Sequence, residues 1–186
     1  MTPRIAPAQP PHSDPVAEDL ERLMPPGMEP IGLFRTLARN PRVLRRIRRG
    51  GLLDPGSITL RQRELVILRT TALAGAEYEW GVHAAFFGQA AGLDGPSLHA
   101  SVWLGPDAPC WSPEESLLIR ACDELHATAH IPDAIFAELR ARFADDQILE
   151  LLVLAGFYRT IAYVVNGAGI ALEPGAPRFP SRTDPR

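Results

Sequence analysis

The sequence predicts an all-α, single-domain helical bundle, and three observations carry that prediction. Apolar residues recur at helical spacing and nowhere alternate with polar ones for long enough to make a strand. Helix start and stop signals punctuate the chain at short intervals. A length of 186 residues with 46% hydrophobic content and a net charge of -3 suffices to bury one sizeable core without disulfides or metal staples.

The elements follow in order. Residues 1–27, with Pro3, Pro7, Pro10, Pro11 and Pro15 near their start, read as a disordered or extended arm, and no apolar run there has the length of a signal peptide. Residues 30–39 and 41–50 read as two short helices split by Pro41, the first apolar at Ile31, Leu33, Phe34 and Leu37, the second ending at Gly50-Gly51. A loop from Leu53 to Ile58 leads to Thr59, which with Gln62 forms a capping box for a helix that carries Glu64 and stops at Gly75. The next helix runs from about Glu77 to Ala91, with His83 near its middle and Gly92 as its cap. A Gly- and Pro-rich loop, in which His99 carries no signal, precedes Ser112-Pro113-Glu114-Glu115. That run supplies an N-cap, a proline in the first turn and a capping-box glutamate together. This helix fails near His130, Pro132 opens a short helix through Phe136 and Leu139 to Phe143, and Asp145 or Asp146 caps a last helix from Ile148 to about Val165. The domain is assigned to residues 28–175, and residues 176–186 to a C-terminal tail.

The last helix is apolar almost all round and near the length that a bilayer requires. Glu150 and Arg159 speak against a membrane span, because charges that deep are costly, whereas burial in a core or a subunit interface explains the pattern equally well. Composition removes other classes. All 19 basic residues are arginine, so Schiff-base, pyridoxal phosphate and Walker-type chemistry lack their lysine. Two cysteines, Cys110 and Cys122, match neither a CxxC motif nor a secreted scaffold, and a reducing cytoplasm is the default compartment.

Chemistry is concentrated between Arg63 and His83. Glu64 and His83 stand 19 positions apart, but two antiparallel helices joined at Gly75-Ala76 bring them together as a proton-handling pair. Glu79 lies four residues before His83 on the same helix face, either as a local ion pair or as a second carboxylate in a pocket. Tyr78 and Trp80 are packing aromatics or substrate-binding side chains, with the Tyr78 hydroxyl a candidate ligand for a substrate oxygen. His126 and His130 share an i, i+4 spacing that could chelate a metal with Asp123, but the helix frays there and no metal is expected. Arg42, Arg45, Arg46 and Arg49 make a basic stripe, read as pairing with acids of another subunit rather than as a nucleic-acid site, given the acidic total charge.

These residues resemble the carboxymuconolactone decarboxylase and alkylhydroperoxidase D family, whose core pattern is a glutamate, two cysteines three apart and a histidine four beyond the second cysteine. Glu64 and His83 occupy the outer positions, the cysteine positions fall on Ala76 and Glu79, and the intervening histidine falls on Tyr78. The run Glu77 to His83 resembles a cysteine-free branch of the family. The resemblance continues through Asp123-Glu124-Leu125-His126, Leu149-Glu150-Leu151-Leu152, Tyr158 and Asn166, and it covers nearly all of residues 28–175. It implies an alkylhydroperoxidase D-like bundle that acts on a small-molecule substrate with Glu64, His83 and Glu79 as catalytic residues and no cofactor. His126 is implied as a residue bordering the pocket. Decarboxylation or proton transfer leads, peroxidase-type activity and a non-catalytic scaffold are the alternatives, and the family forms homo-oligomers. The chain is accordingly expected to be a dimer, trimer or hexamer; light scattering at micromolar concentration checks this, and a clean monomer mass would contradict it.

Overall fold

The computed structural model describes residues 3–182, and every regular element among them is helical. The centre is α4 (Leu60–Leu73), as nine consecutive residues of this helix, Arg63 to Thr71, are buried. A helix apolar on one stripe cannot be enclosed this way, and α4 tolerates it because its polar side chains find partners inside. Arg69 is bidentate on Asp123, with Nε to Oδ1 at 2.6 Å and Nη2 to Oδ2 at 3.0 Å, and it also donates to the Ser101 carbonyl at 3.1 Å. Around it pack α5 (Glu77–Phe87), α6 (Gly95–Trp103), α7 (Pro113–Thr128) and α9 (Asp145–Ala168), while α8 (Asp133–Arg140) bridges α7 and α9. A second layer, α1 (Asp14–Glu21), α2 (Gly32–Leu37) and α3 (Pro41–Gly50), packs within itself and flanks the bundle.

Both predicted capping boxes form. Thr59 and Gln62 exchange bonds at 2.8 and 3.2 Å to start α4, and Ser112 and Glu115 do the same at 2.8 and 3.2 Å to start α7. Gly75 takes a left-handed φ of +63°, which L residues adopt only at a cost, and reverses the chain from α4 into α5.

The structure corrects the sequence reading at several places. The supposed disordered arm contains α1, whose Val16 and Leu20 are buried, and its earlier part is tied down by Ala8 N donating to the Arg35 carbonyl at 2.9 Å. Pro15, read as a breaker, sits in the first turn of α1, where its missing N–H costs nothing. The same error hid α6: Asp94 caps it by accepting from Ser97 N at 2.9 Å, Pro96 lies in its first turn, and His99 is buried rather than in a loop. Helix α5 ends at Phe87 rather than Ala91, α8 stops before Phe143, and α9 begins after an Ala144 cap and extends to Ala168. Helix α9 is long and apolar enough by length and composition to cross a bilayer, but a continuous face from Ile148 to Ala168 is buried against the bundle.

The C-terminal segment is docked as well. Phe179 packs edge-on to Trp80 at 5.5 Å and to Trp103 at 6.3 Å, its amide donates to Glu77 Oε1 at 2.9 Å, and Trp103 Nε1 donates to the Pro180 carbonyl at 2.7 Å. Residues 1–2 of the arm and 183–186 of the tail lie outside the described residues. Docking relies on Gly81, where any Cβ would collide with the Pro177 carbonyl oxygen. Gly81→Ala is therefore expected to lift this segment off α5, at a stability cost of about 1–3 kcal/mol, and to expose it to limited proteolysis; an unchanged cleavage pattern would contradict the docking.

Candidate functional site

Helices α4 and α5 run side by side, and their facing side chains meet in a buried ionic cluster. Glu64, with 0% exposure, accepts from His83 Nδ1 on Oε2 at 2.7 Å, and its Oε1 receives Nε and Nη2 of Arg63, both at 2.8 Å. His83 is 3% exposed and places Nε2 at 3.5 Å from Glu79 Oε1. Tyr158 of α9 stands edge-on to the imidazole at 4.9 Å, and Phe87 lies against it at 5.3 Å. Burial alone would favour a neutral histidine. The hydrogen bonds and charges of Glu64 and Glu79 outweigh that desolvation and raise the His83 pKa to about 9. Near neutrality the ring is an imidazolium, and Arg63, Glu64, His83 and Glu79 then sum to zero charge.

One side of this cluster opens on a cavity of about 610 Å³, within the size range of small-molecule sites. Helix α5 gives it Glu79, Val82, His83 and Phe86, which share one helix face by their spacing of three and four. Leu33 and Phe34 of α2, Tyr158 and Ile161 of α9, and the loop after α3 complete the walls. Glu79 Oε2 is buried and has no hydrogen-bond partner. A buried carboxylate oxygen left in this state on a cavity wall is an open acceptor for a group that enters.

The predicted catalytic residues Glu64, His83 and Glu79 are brought together. The predicted substrate-binding residues are not. Tyr78 and Trp80 are turned about 100° to either side of Glu79 around α5, away from the cavity. Tyr78 instead donates to Glu173 Oε1 at 2.6 Å and accepts from Leu33 N at 2.9 Å, and Trp80 donates to Ser101 Oγ at 3.1 Å. His126, in the last turn of α7, lies outside the cavity lining, and its Nδ1 accepts from the guanidinium of Arg159 on α9. Burial and that cation both depress its pKa, and a nitrogen so occupied is a poor metal ligand. Among the described residues no group of three His, Cys, Asp or Glu side chains is arranged to hold a metal ion.

Sequence reasoning passed over Arg63 and gave Tyr158 no role. Arg63 neutralises Glu64, donates to the Leu53 carbonyl at 2.7 Å and covers the Phe87 ring at 5.0 Å, fixing both cluster and cavity loop. An arginine inside an otherwise apolar stretch beside Glu64 was the available signal. Neither thiol belongs to the site: burial pushes Cys122 up to about 12 and also raises Cys110, whose Sγ lies against the Pro96 carbonyl in the first turn of α6, and neither lines the cavity.

The raised His83 pKa has a definite sign. The unfolded ring titrates near 6.5, so folding gains stability that is fully present below 6.5 and is lost as pH rises through about 9. The loss is expected to reach at most about 3 kcal/mol. Urea denaturation across that range, with an NMR titration of the His83 ring, checks it; a ring midpoint at or below 6.5 would contradict the buried imidazolium.

No protein-family model and no curated protein matches the sequence. Solved structures do match in fold. An uncharacterized peroxidase-related protein from Ralstonia eutropha, described as an alkylhydroperoxidase AhpD core, superposes with a TM-score of 0.78 over 91% of this chain and 93% of its own, at 18% identity. An uncharacterized peroxidase-related protein from a Silicibacter species gives 0.77 over 97% and 94%, at 16% identity. A protein of unknown function from Agrobacterium tumefaciens gives 0.57 over 63% and 81%, at 24% identity. The chain therefore has the AhpD-like helical fold.

Proposed function

We propose that the protein is a cofactor-independent acid/base enzyme that decarboxylates, or moves a proton on, a small organic acid or lactone. One observation supports this above the others: the His83 imidazolium is anchored through Nδ1 to a fully buried carboxylate while Nε2 stands beside Glu79 on the wall of a cavity. In the decarboxylation, the carbon–carbon bond to a carboxylate breaks and leaves an enolate. The Nε2 proton of His83 passes to the enolate carbon, and Glu64 holds the ring in the tautomer that makes this possible. Glu79 returns a proton from water to Nε2. For an isomerisation, the Glu79 carboxylate takes the carbon-bound proton and His83 Nε2 delivers one to the new position.

Peroxidase-type activity is the second reading, favoured by the names of the two fold relatives. It would have to draw its thiolate from Cys110 or Cys122, whose pKa values both lie above the ordinary thiol range. For assembly, we assign contact between copies to the face of α9 that carries exposed Leu149, Val153 and Tyr163. A reducing cytoplasm is the compartment we propose.

Against a panel of carboxylated lactones and 3-keto acids, with carbon dioxide release as readout, His83→Ala is expected to lower turnover by roughly 10²–10⁴-fold while leaving the circular dichroism spectrum intact. Glu64→Gln should also lower the pH at which activity falls on the alkaline side. Undiminished turnover in His83→Ala would remove the mechanism, and hydroperoxide consumption that survives it would favour the peroxidase reading.

A further inference from the structure

The cavity grades from buried and ionic at one end to exposed and arginine-rich at the other. Glu79, His83, Tyr158, Ile161 and Leu33 are all buried, whereas Arg49, Leu53, Asp54 and Phe86 on the same lining are exposed and mark the mouth. Between them the walls are almost wholly apolar, with Phe34, Val82, Phe87 and Phe157 among them. Helix α3 delivers the charge. It carries Arg42, Arg45, Arg46, Arg48 and Arg49 and no acid, and Arg48 and Arg49 belong to the cavity lining.

The acids nearby take up part of this charge and leave one lining guanidinium free. Asp19 is shared by two arginines, at 2.8 Å from Arg48 Nε and 3.5 Å from Arg45 Nε. Arg22, also on the lining, is neutralised by Glu18. Arg48 is held by Asp19, and Arg49 is the lining arginine with no ion-pair partner among the described residues, although Asp54 stands on the same lining. A guanidinium left unpaired at the entrance of an apolar cavity is suited to a carboxylate, which it can hold with two parallel hydrogen bonds.

We propose that the cavity takes an amphipathic monoanion: an apolar body lies along the aromatic and aliphatic walls, a carboxylate or similar anion rests on Arg49 at the mouth, and a polar group at the other end meets His83 and Glu79. This deepens the proton-transfer form of the function proposed above, on which it rests for identifying the reacting end, since a monoanion anchored on Arg49 keeps its carboxylate away from His83. It also gives Arg49, the residue of the arginine stripe that reaches the cavity lining, a use within a single chain. The unpartnered Glu79 Oε2 is the second polar anchor, calling for a hydrogen-bond donor on the buried end of the ligand. A compact, doubly charged acid would leave most of the apolar wall uncovered, which sets this substrate class apart from small polyacids.

Calorimetric titration with dodecanoate, below its micellar concentration, and with 12-hydroxydodecanoate, which adds a donor for Glu79 at the buried end, tests the proposal without depending on turnover, and the hydroxy acid is expected to bind the more tightly. Saturable binding by the intact protein is expected, with dodecanol and benzoate each weaker, since one lacks the anion and the other the apolar length. Arg49→Gln, a surface change that leaves the core untouched, should weaken dodecanoate binding by about tenfold or more. Leu23→Trp, which fills part of the cavity from a half-buried position, should weaken it as well. Absence of binding by both acids, or equal affinity in Arg49→Gln, overturns the proposal, as does a dodecanoate site lost on Arg42→Gln and Arg46→Gln but kept in Leu23→Trp. The two levels fail separately. If His83→Ala retains turnover while dodecanoate binding behaves as stated, the acid/base reading falls and the ligand class stands; if binding fails while His83→Ala abolishes turnover, the reverse holds.

Discussion

Glu64 has no contact with solvent, and a lone carboxylate in such a place would cost several kcal/mol. The helices around it are arranged so that it is never alone. Both oxygens are occupied, one by the Arg63 guanidinium and one by the His83 ring, and the second contact requires α5 to pack against α4 in one register. Arg63 then reaches on to the Leu53 carbonyl and the Phe87 ring, so the loop after α3 is attached to the same charge. Pairing of the two central helices, placement of the cavity loop and orientation of the imidazole are thus consequences of compensating one buried negative charge.

Compensation of this kind also prepares chemistry. With His83 protonated the cluster is neutral, and transfer of that proton to a ligand leaves a net charge of minus one among groups already arranged around it. Glu79 keeps one oxygen without a partner in the same space. A purely structural ion pair has no reason to leave a buried acceptor open beside a cavity, and this separates the site from the half-buried pair of Arg69 with Asp123, in which both carboxylate oxygens are taken.

How much of this was legible in the sequence depends on how local the physics is. The capping boxes at Thr59 and Ser112 were readable because their partners lie three residues away. The meeting of Glu64 with His83 followed from a glycine turn between two helices, and Glu79 from helical spacing. Helices α1 and α6 were missed because proline was taken as a breaker, although the first turn of a helix accepts it. Tyr78 and Trp80 were left open between packing and substrate binding, and helical phase from Glu79, Val82, His83 and Phe86 would have decided for packing. What no local rule contained was the role of the layer α1 to α3, because the cavity mouth forms only when that layer docks. Arg63 sits between the two cases: its neighbour in sequence is its ion-pair partner, but its reach to Leu53 and Phe87 is tertiary.

The docked C-terminal segment makes the molecule its own optical indicator. Trp80 is enclosed and Trp103 is 40% exposed, and both rings touch Phe179, with Trp103 further held by the Pro180 carbonyl. Release of the segment would strip one indole of its hydrogen bond and both of an aromatic neighbour, so their fluorescence would shift to the red before the bundle itself unfolds. Two transitions, one in tryptophan emission and a later one in helical content, are what such an architecture shows when this edge opens independently of the core. Coincident transitions would instead mean that the last dozen described residues and the bundle melt as one cooperative unit.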